Sequence, residues 1–246
     1  MVAIRCGEVT FSNIQAILFD KDGTLADSES FLRTLGQARA RLIDAKVPGV
    51  QEPLLMAFGI DGNQLNPEGL LASGTREETA IASAAYVAET GRNWLESLEL
   101  VRTAFENADG QQTSKTKATP LFPGILSAIE ALANAGLKLG IVSSDSTANV
   151  QAFAETHALA PHLQVLKGAD GNVPAKPHPE LFHQACREIG VTSAATLMVG
   201  DTSLDMAMAQ AAGSGGGIAA RWGWDNPPNL ELATVSIDKI EQIQLC

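Results

Sequence analysis

The chain has 246 residues, of which 45% are hydrophobic and 18% are charged, a composition that excludes an intrinsically disordered protein. Its net charge of −11 and pI near 4.8 make nucleic acid and anionic membranes unfavourable partners, because both repel an acidic surface. No apolar run approaches the roughly 18 residues of a membrane span, and the N-terminal residues lack the apolar segment of a signal peptide. The three cysteines are widely spaced and form no CxxC pair, which argues against disulfides and zinc and predicts a cytoplasmic protein.

The N-terminal residues predict two kinds of strand. Residues 2–11 mix apolar and polar side chains around Gly7, a pattern that is typical of a short hairpin or an edge strand. Residues 14–20 are mostly apolar up to Asp20, which indicates a strand that is buried on both faces. We therefore expect the second segment to belong to the core sheet.

A long helical segment follows the first buried strand. Between residues 28 and 118 the sequence is rich in Ala, Leu, Glu and Arg at helical spacing, and the predicted helices are 30–46, 75–90 and 94–109. Glycine- and proline-containing breakers separate these helices, and no strand is predicted in this segment. The polar stretch 111–120 ends in a proline and is interpreted as a linker.

Strands and helices then alternate to the end of the chain. The predicted helices are 123–135, 146–157, 178–189 and 203–212, and the predicted strands are 137–143, 163–167, 195–200, 216–220 and one near 233–236, followed by a short C-terminal helix. Such alternation indicates right-handed βαβ units and a parallel sheet. The predicted fold class is therefore α/β, with a Rossmann-like doubly wound parallel sheet core (residues 1–27 and 119–246) and an inserted all-helical domain (residues 28–118).

The residues that could carry chemistry stand where predicted strands end or where a predicted helix is about to begin. Six of them come from distant parts of the chain: Asp20, Asp22, Ser143, Lys176, Asp201 and Asp205. Ligands of open parallel sheets bind at the carboxyl ends of the strands. We therefore expect these side chains to converge on one edge of the sheet.

Carboxylates grouped in this way suit a hard cation such as Mg²⁺. A dication would remove the repulsion between Asp20 and Asp22 and would neutralise a phosphate, to which Lys176 adds a second positive charge. The hydroxyl of Ser143 and the free N–H groups that open the following helix suit phosphate oxygens. One carboxylate is then a candidate nucleophile and a second a candidate general acid and base. Lys21 is expected to point away from its two acidic neighbours, because side chains alternate along a strand.

Four motifs occur in a fixed order: DKDGTLAD, the serine that follows KLGIV, the lysine of KPHPELF, and GDTSLDMAMAQAAGSG. In order and content they resemble the four motifs of the haloacid dehalogenase-like hydrolase superfamily, whose first and fourth motifs read DxDGTL and GDxxxD. The helical segment lies between the first and second motifs, as it does in that family. The resemblance spans about residues 14–236, which is nearly the whole chain.

The resemblance implies roles for the acidic residues and for the lysine. Asp20 would be the nucleophile and a metal ligand, and Asp22 would be the general acid and base that also gives its backbone carbonyl to the metal. Lys176 would hold the phosphate and Asp20 in place. Asp201 would bind the metal, and Asp205 would either bind it or fix Lys176 or a metal-bound water.

The resemblance also implies a phosphate site and a cap. Ser143 and Ser144 would bind phosphate, and Gly23 would let the backbone turn sharply and let phosphate approach, because it has no Cβ. By residue type, Ser144, Asp145 and Ser146 are better candidates than Ser143 to cap the next helix. The helical insertion would be a cap domain that covers the substrate and excludes water.

The second acidic residue of the first motif sorts the reactions of the superfamily. Its dehalogenases lack an acid at the position of Asp22, and its transport ATPases, which carry DKTGT, need membrane spans that this chain is not predicted to have. The implied function is Mg²⁺-dependent hydrolysis of a small phosphate monoester, such as phosphoglycolate or a sugar phosphate, through an aspartyl-phosphate. A phosphomutase of the β-phosphoglucomutase type and a non-catalytic binding protein on the same fold remain as alternatives. The expected partner is a small phosphorylated metabolite, and the expected assembly is a monomer or a small homo-oligomer.

Two groups of residues have no assigned role at this point. Trp222 and Trp224 either pack over the strand ends or line the entrance to the site. Polar residues of the helical segment that could select the substrate are Arg33, Arg39, Arg41, Asn63, Gln64, Arg76 and Arg92. Arginines on helices also commonly form solvated faces or ion pairs, so both interpretations of these residues stay open.

Overall fold

The apolar run before Asp20 forms a four-residue strand, Ala16–Phe19, whose side chains are all buried. This strand lies in a unit made of residues 1–27 and 119–246, and residues 28–118 form a second unit. The structure is a computed structural model that describes residues 2–111, 115–170 and 173–246. Within these residues no helix is both long enough and apolar enough to cross a bilayer.

The elements follow the chain in the order strand pair, strand, helical segment and then alternating helices and strands. The strands are β1 (Val2–Cys6), β2 (Val9–Ile14), β3 (Ala16–Phe19), β4 (Ile60–Asp61), β5 (Gln64–Leu65), β6 (Lys138–Val142), β7 (Val165–Lys167), β8 (Thr196–Gly200), β9 (Gly216–Ala220), β10 (Val235–Ile237) and β11 (Ile243–Leu245). The α-helices are α1 (Glu29–Asp44), α2 (Gln51–Phe58), α3 (Leu70–Ser73), α4 (Arg76–Glu89), α5 (Trp94–Gln111), α6 (Lys115–Ala118), α7 (Ile125–Asn134), α8 (Thr147–Thr156), α9 (Glu180–Ile189) and α10 (Ser203–Ala211).

Six parallel strands form the sheet of the α/β unit, in the order β10-β9-β8-β3-β6-β7. The central strand β3 pairs with β6 on one side and β8 on the other, so that Phe19 lies opposite both Ile141 and Val199. These three strands therefore end nearly level with one another. The residues that follow them, including Asp20 and Asp201, leave the sheet at the same edge, which is where the predicted site residues are needed.

Both faces of the sheet are covered by helices. Ile17 and Phe19 belong to a hydrophobic cluster that includes residues of α7 and α8, whereas Leu18 belongs to a second cluster with residues of α9 and α10. This division follows from the strand itself, because successive side chains point to opposite faces. The prediction of a Rossmann-like doubly wound parallel sheet is confirmed.

A small antiparallel sheet joins the first and last strands of the described chain, in the order β11-β1-β2. The predicted N-terminal hairpin is confirmed, with Ile4 opposite Phe11. The predicted C-terminal helix is wrong, because only Ile240–Gln242 form a single 3₁₀ turn and the next three residues form β11. β11 pairs with β1, where Ile243 lies opposite Cys6, a partner so distant in sequence that no local pattern could reveal it.

The helical unit contains one small exception to its predicted helices. Two-residue strands β4 and β5 pair in antiparallel fashion, with Asp61 opposite Gln64. The prediction that this segment has no strand is therefore wrong. Gly62 and Asn63 form the two-residue connection, and Gly62 has a φ of +56°. A Gly-Asn pair between short polar-apolar runs is a known hairpin signal, so the sequence did contain the information.

Several of the arginines proposed to select the substrate make contacts within the helical unit. A terminal guanidinium nitrogen of Arg39 lies 2.8 Å from a carboxylate oxygen of Asp109, and one of Arg76 lies 3.1 Å from the other carboxylate oxygen. Arg33 donates to the backbone carbonyl of Asn63 at 2.6 Å. These contacts tie α1, α4 and the β4–β5 turn to other parts of the unit, which favours a structural role for the three arginines.

The two ends of the helical insertion are tied together in the α/β unit. The N–H of Asp27 donates to the carbonyl of Pro120 at 2.8 Å, and the N–H of Phe122 donates to the carbonyl of Leu25 at 3.1 Å. Of the predicted linker 111–120, residue 111 ends α5 and residues 115–118 form α6, whereas residues 112–114 lie outside the described part of the chain. The chain therefore leaves and re-enters the α/β unit at neighbouring points.

Candidate active site

Lys176 is the residue that joins the predicted site together. Its Nζ lies 2.7 Å from Oδ1 of Asp20 and 2.6 Å from Oδ1 of Asp205, and all three side chains are buried. Asp20 directly follows β3, Asp205 lies in the first turn of α10, and Lys176 precedes α9. A lysine held between two carboxylates keeps its charge in the protein interior, because both partners are ionic and close.

Asp205 is fixed by its own helix as well as by the lysine. It is the third residue of α10 and forms a capping box with Thr202, whose hydroxyl donates to Oδ2 of Asp205 at 2.7 Å. The same oxygen accepts the backbone N–H of Thr202 at 3.2 Å. One carboxylate oxygen of Asp205 thus caps the helix while the other binds Lys176.

Asp201 is the third buried carboxylate of the site, and two uncharged donors hold it. The hydroxyl of Thr24 donates to its Oδ1 at 2.6 Å, and the indole N–H of Trp224 donates to its Oδ2 at 2.7 Å. One carboxylate oxygen each from Asp20, Asp201 and Asp205 lies within 4.8 Å of the others. Three buried carboxylates with a single bound lysine leave an excess of negative charge, and this donor set fits a hard dication such as Mg²⁺.

Burial and mutual repulsion perturb the acid–base behaviour of the cluster. Desolvation raises the pKa of Asp20 to about 6, against the opposing effect of Lys176. Desolvation also raises the pKa of Asp201 well above its ordinary value, and the charges of Asp20 and Asp205 act in the same direction. Burial alone would lower the pKa of Lys176, but its two carboxylate partners outweigh burial and raise it. A bound cation would reduce the repulsion among the three carboxylates.

The prediction that Lys21 points away from its acidic neighbours is wrong. Its Nζ lies 2.6 Å from Oδ2 of Asp22 and 3.2 Å from Oδ2 of Asp145, and the lysine is only 1% exposed. Strand alternation does not apply here, because β3 ends at Phe19 and the chain turns before Lys21. The side chain of Asp22 is thereby directed to a lysine bridge and does not belong to the cluster of three carboxylates.

The predicted phosphate-binding residues lie at the end of β6 and in the turn after Asp22. Ser143 is buried directly after β6, and its hydroxyl oxygen accepts the N–H of Asp145 at 3.1 Å. Ser146 rather than Ser144 caps α8, accepting the N–H of Asn149 at 3.3 Å. Gly23 has a φ of +80°, and a Cβ at this position would overlap the carboxylate of Asp201.

Sequence reasoning gave no site contact for four residues that shape the site. These are Thr24, Thr202, Asp145, which was named only as a helix-cap candidate, and Trp224, which was placed over the strand ends or at the entrance. Thr24 and Thr202 belong to quoted motifs, and the Thr202–Asp205 spacing is a recognisable capping box. Asp145 and Trp224 act across 124 and 23 positions respectively, as the numbers of their partners Lys21 and Asp201 show. No local signal in the sequence identifies such distant partners, although both residues lie within a few positions of the end of a predicted strand.

Comparison with known proteins identifies the family. The family model described as haloacid dehalogenase-like hydrolase matches residues 14–213. The chain belongs to the haloacid dehalogenase-like hydrolases. This hydrolase is 28% identical over 203 residues to a phosphoglycolate phosphatase from Salmonella typhi, an alignment that covers 82% of this chain and 79% of the relative.

Solved structures share the fold of this haloacid dehalogenase-like hydrolase. A predicted phosphoglycolate phosphatase from Haemophilus somnus 129PT has a TM-score of 0.69 at 19% identity, covering 93% of this chain and 96% of the other. A Thermotoga maritima protein assigned as a β-phosphoglucomutase has a TM-score of 0.61 at 15% identity, covering 93% and 96%. At these identities the likeness concerns the fold, which the two proteins share with this chain over nearly its whole length.

Proposed function

We propose that this hydrolase is a Mg²⁺-dependent phosphatase of small phosphorylated metabolites that works through an aspartyl-phosphate on Asp20. The observation that carries the proposal is the position of the Lys176 amino group, 2.7 Å from Asp20 and 2.6 Å from Asp205. A lysine in this place can hold a phosphoryl group beside a carboxylate nucleophile, since it provides a fixed positive charge. The likeness to a phosphoglycolate phosphatase supports the same reaction class.

The metal site of the proposal consists of Asp20, Asp201 and Asp205, with the backbone carbonyl of Asp22 as a further oxygen ligand. When bound, Mg²⁺ would supply positive charge that neutralises the phosphoryl oxygens. Carboxylate and carbonyl oxygens are the ligands that Mg²⁺ prefers, and the carboxylate spacing within 4.8 Å is compatible with one ion.

Asp20 and Asp22 divide the chemical work in this proposal. A carboxylate oxygen of Asp20 attacks phosphorus, the bond from phosphorus to the ester oxygen breaks, and the leaving oxygen keeps the electron pair and takes a proton from Asp22. Water then attacks the aspartyl-phosphate while Asp22 accepts its proton. The bond between phosphorus and Asp20 breaks, which releases phosphate and regenerates both carboxyl groups.

Phosphate binding in the proposal uses Lys176, Ser143, Ser144 and the backbone around Gly23. The hydroxyl of Ser143 stands at the end of β6, next to the start of α8, and N–H groups at a helix N-terminus favour anions. A side chain at position 23 would crowd the carboxylate of Asp201. The absence of a Cβ there makes room for that carboxylate beside the proposed phosphate site.

The helical unit of residues 28–118 is proposed to act as the cap that selects the substrate. The exposed side chains of Asn63 and Gln64, in the β4–β5 hairpin, are the best candidates for contacts to the leaving group. Replacing both with alanine should change the order of preference among phosphoglycolate and sugar phosphates. An unchanged order at unchanged maximal rate would remove the hairpin from the proposal.

The deciding experiment measures phosphate release from a panel of phosphometabolites, including phosphoglycolate and hexose phosphates, with Mg²⁺ and after its removal by a chelator. We expect Mg²⁺-dependent turnover of at least one compound and its loss in Asp20→Asn, because the amide is a poor nucleophile. Full turnover by Asp20→Asn would refute the mechanism. Hexose 1-phosphate separates the mutase alternative, since a mutase would give hexose 6-phosphate and a phosphatase would give free phosphate.

A further inference from the structure

The segment Trp222-Gly223-Trp224 has no role in the proposed reaction, although it contacts the residues that carry it. It follows β9, which pairs in parallel with β8, and Gly200 of β8 lies opposite Ala219 of β9. The two strands end close to one level, so the residues after β9 leave the sheet beside Asp201. This position places two large aromatic side chains next to the proposed metal ligand.

Both indole groups of this segment are hydrogen-bonded to the first and fourth motifs. The indole N–H of Trp222 donates to the backbone carbonyl of Thr24 at 2.9 Å. The indole N–H of Trp224 donates to Oδ2 of Asp201 at 2.7 Å, and Trp224 is only 6% exposed. A buried indole N–H needs an acceptor, and a carboxylate is the strongest one available.

Two glycines allow this close approach. A Cβ on Gly23 would lie 2.7 Å from the indole nitrogen of Trp224, and a Cβ on Gly223 would overlap the carbonyl oxygen of Gly23. The loop after Asp20 and the segment after β9 therefore touch backbone to backbone. Such packing leaves the Trp224 ring little freedom, so its N–H is fixed in space as well as in direction.

Asp20 and Asp205 each accept from a charged donor, whereas the two donors to Asp201 are neutral. Oδ1 of Asp20 and Oδ1 of Asp205 bind the charged amino group of Lys176. Asp201 instead accepts from the hydroxyl of Thr24 and the indole of Trp224, which are both neutral. Neutral donors orient a carboxylate without cancelling its charge, and each oxygen keeps a second lone pair for a cation.

We propose that Trp224 is a positioning residue for the metal: its indole N–H holds Asp201 in the orientation that binds Mg²⁺. This inference rests on the proposed function for the presence of the metal and adds a residue outside the four motifs. Hydrogen-bond partners of metal ligands fix the ligand orientation, and their removal weakens metal binding by roughly 10- to 100-fold. The same contact makes Trp224 fluorescence an internal reporter of metal binding, since the ring touches a ligand.

The test compares Trp224→Phe with the matched variant Trp222→Phe by titrating MgCl₂ in a calorimeter. Both substitutions keep an aromatic ring and remove one indole N–H, but only the first removes a donor to Asp201. We expect the Mg²⁺ dissociation constant to rise roughly 10- to 100-fold in Trp224→Phe and to stay near the wild-type value in Trp222→Phe. Turnover of Trp224→Phe should recover at saturating Mg²⁺, with an unchanged KM for the phosphate ester.

Three outcomes would overturn the inference, and they are distinguishable. Wild-type affinity in Trp224→Phe would refute the positioning role while leaving the proposed function intact. Equal weakening in both variants would assign the effect to packing of the segment. A wild-type protein that binds no Mg²⁺ would refute the metal site itself and, with it, this inference.

A second measurement avoids replacing Trp224 and therefore holds even if Trp224→Phe does not fold. The chain has three tryptophans, so the double variant Trp94→Phe/Trp222→Phe leaves Trp224 as the sole indole. Its emission should change on addition of MgCl₂ and saturate with the dissociation constant measured by calorimetry. An emission that is unaffected by saturating Mg²⁺ would contradict the contact on which the inference depends.

Discussion

The stability of the metal-free protein should depend on pH through the carboxyl group of Asp20. Burial raises the pKa of this group from 3.8 to about 6 in the folded protein. Between these two values the folded state holds a proton that the unfolded state has lost, so the free energy of unfolding falls as pH rises. Above about pH 6 both states are ionised and the decline ends. At 1.36 kcal/mol for each pKa unit, the loss over the full window is about 3 kcal/mol.

The perturbation that tests this effect is Asp20→Asn, which removes the titrating group and keeps its shape, and which also removes a charge that raises the pKa of Asp201. Between pH 5 and pH 7.5, wild type should lose about 1 kcal/mol relative to the variant, because the part of the window below pH 5 is not sampled. Urea denaturation of both proteins in a chelator gives this difference directly. With saturating Mg²⁺ the wild-type loss should shrink, since a dication favours the ionised carboxylate and stabilises the folded state.

Parallel stability profiles of wild type and Asp20→Asn in the chelator would refute the reasoning. They would mean that the Lys176 ion pair offsets burial, so that the pKa of Asp20 is not raised in the folded protein. A separate outcome, in which the profiles diverge but Mg²⁺ has no effect, would leave the burial argument intact. It would instead contradict the assignment of Asp20 as a metal ligand.

Three further substitutions test the contacts of the site. Lys176→Met removes the cation from two buried carboxylates and should cost about 3–5 kcal/mol of stability in urea denaturation, together with all turnover; a loss below 1 kcal/mol would contradict the ion pairs. Lys21→Met should destabilise to a similar extent, and adding Asp145→Asn should recover part of the loss by removing one of the two stranded charges; an additive double variant would speak against the bridge. Gly23→Ala should abolish Mg²⁺ binding by calorimetry, whereas Gly49→Ala, at a φ of +98° with no atom within 4 Å, should cost only backbone strain of about 1 kcal/mol.

The core sheet could be predicted because its signals are local. The apolar residues before Asp20 are buried on both faces of a parallel sheet, and such a strand cannot alternate polar and apolar side chains. The ends of parallel strands share one edge, which is why the meeting of Asp20 with Lys176 could be anticipated from distant stretches. The alternation of strands and helices along the chain likewise predicts a parallel sheet.

The features that could not be predicted depend on long-range geometry. The direction of the Lys21 side chain was predicted from strand alternation, but it depends on where β3 ends. The end of a strand can move by a residue without any change in the apolar pattern of the sequence. The contact of Trp224 with Asp201 requires the order of β8 and β9 and the approach of two glycines. The pairing of β11 with β1 overrides a local pattern that resembles a helix, because an edge strand supplies hydrogen-bond partners that a short helix lacks.

Two backbone hydrogen bonds join residues 25–27 to residues 120–122. For the α/β unit, the helical unit therefore acts as one long loop whose two ends are fixed next to each other. The α/β unit must close a loop of roughly 90 residues, and replacing it with a linker of a few residues would reduce the entropic cost by about 2–3 kcal/mol. The hydrophobic clusters on both faces of the parallel sheet consist of residues from the α/β unit itself. An insertion of different size and sequence at this one point would therefore leave the carboxylates and Lys176 in place. If the helical unit selects the substrate as proposed, substrate choice could then change independently of the reaction chemistry.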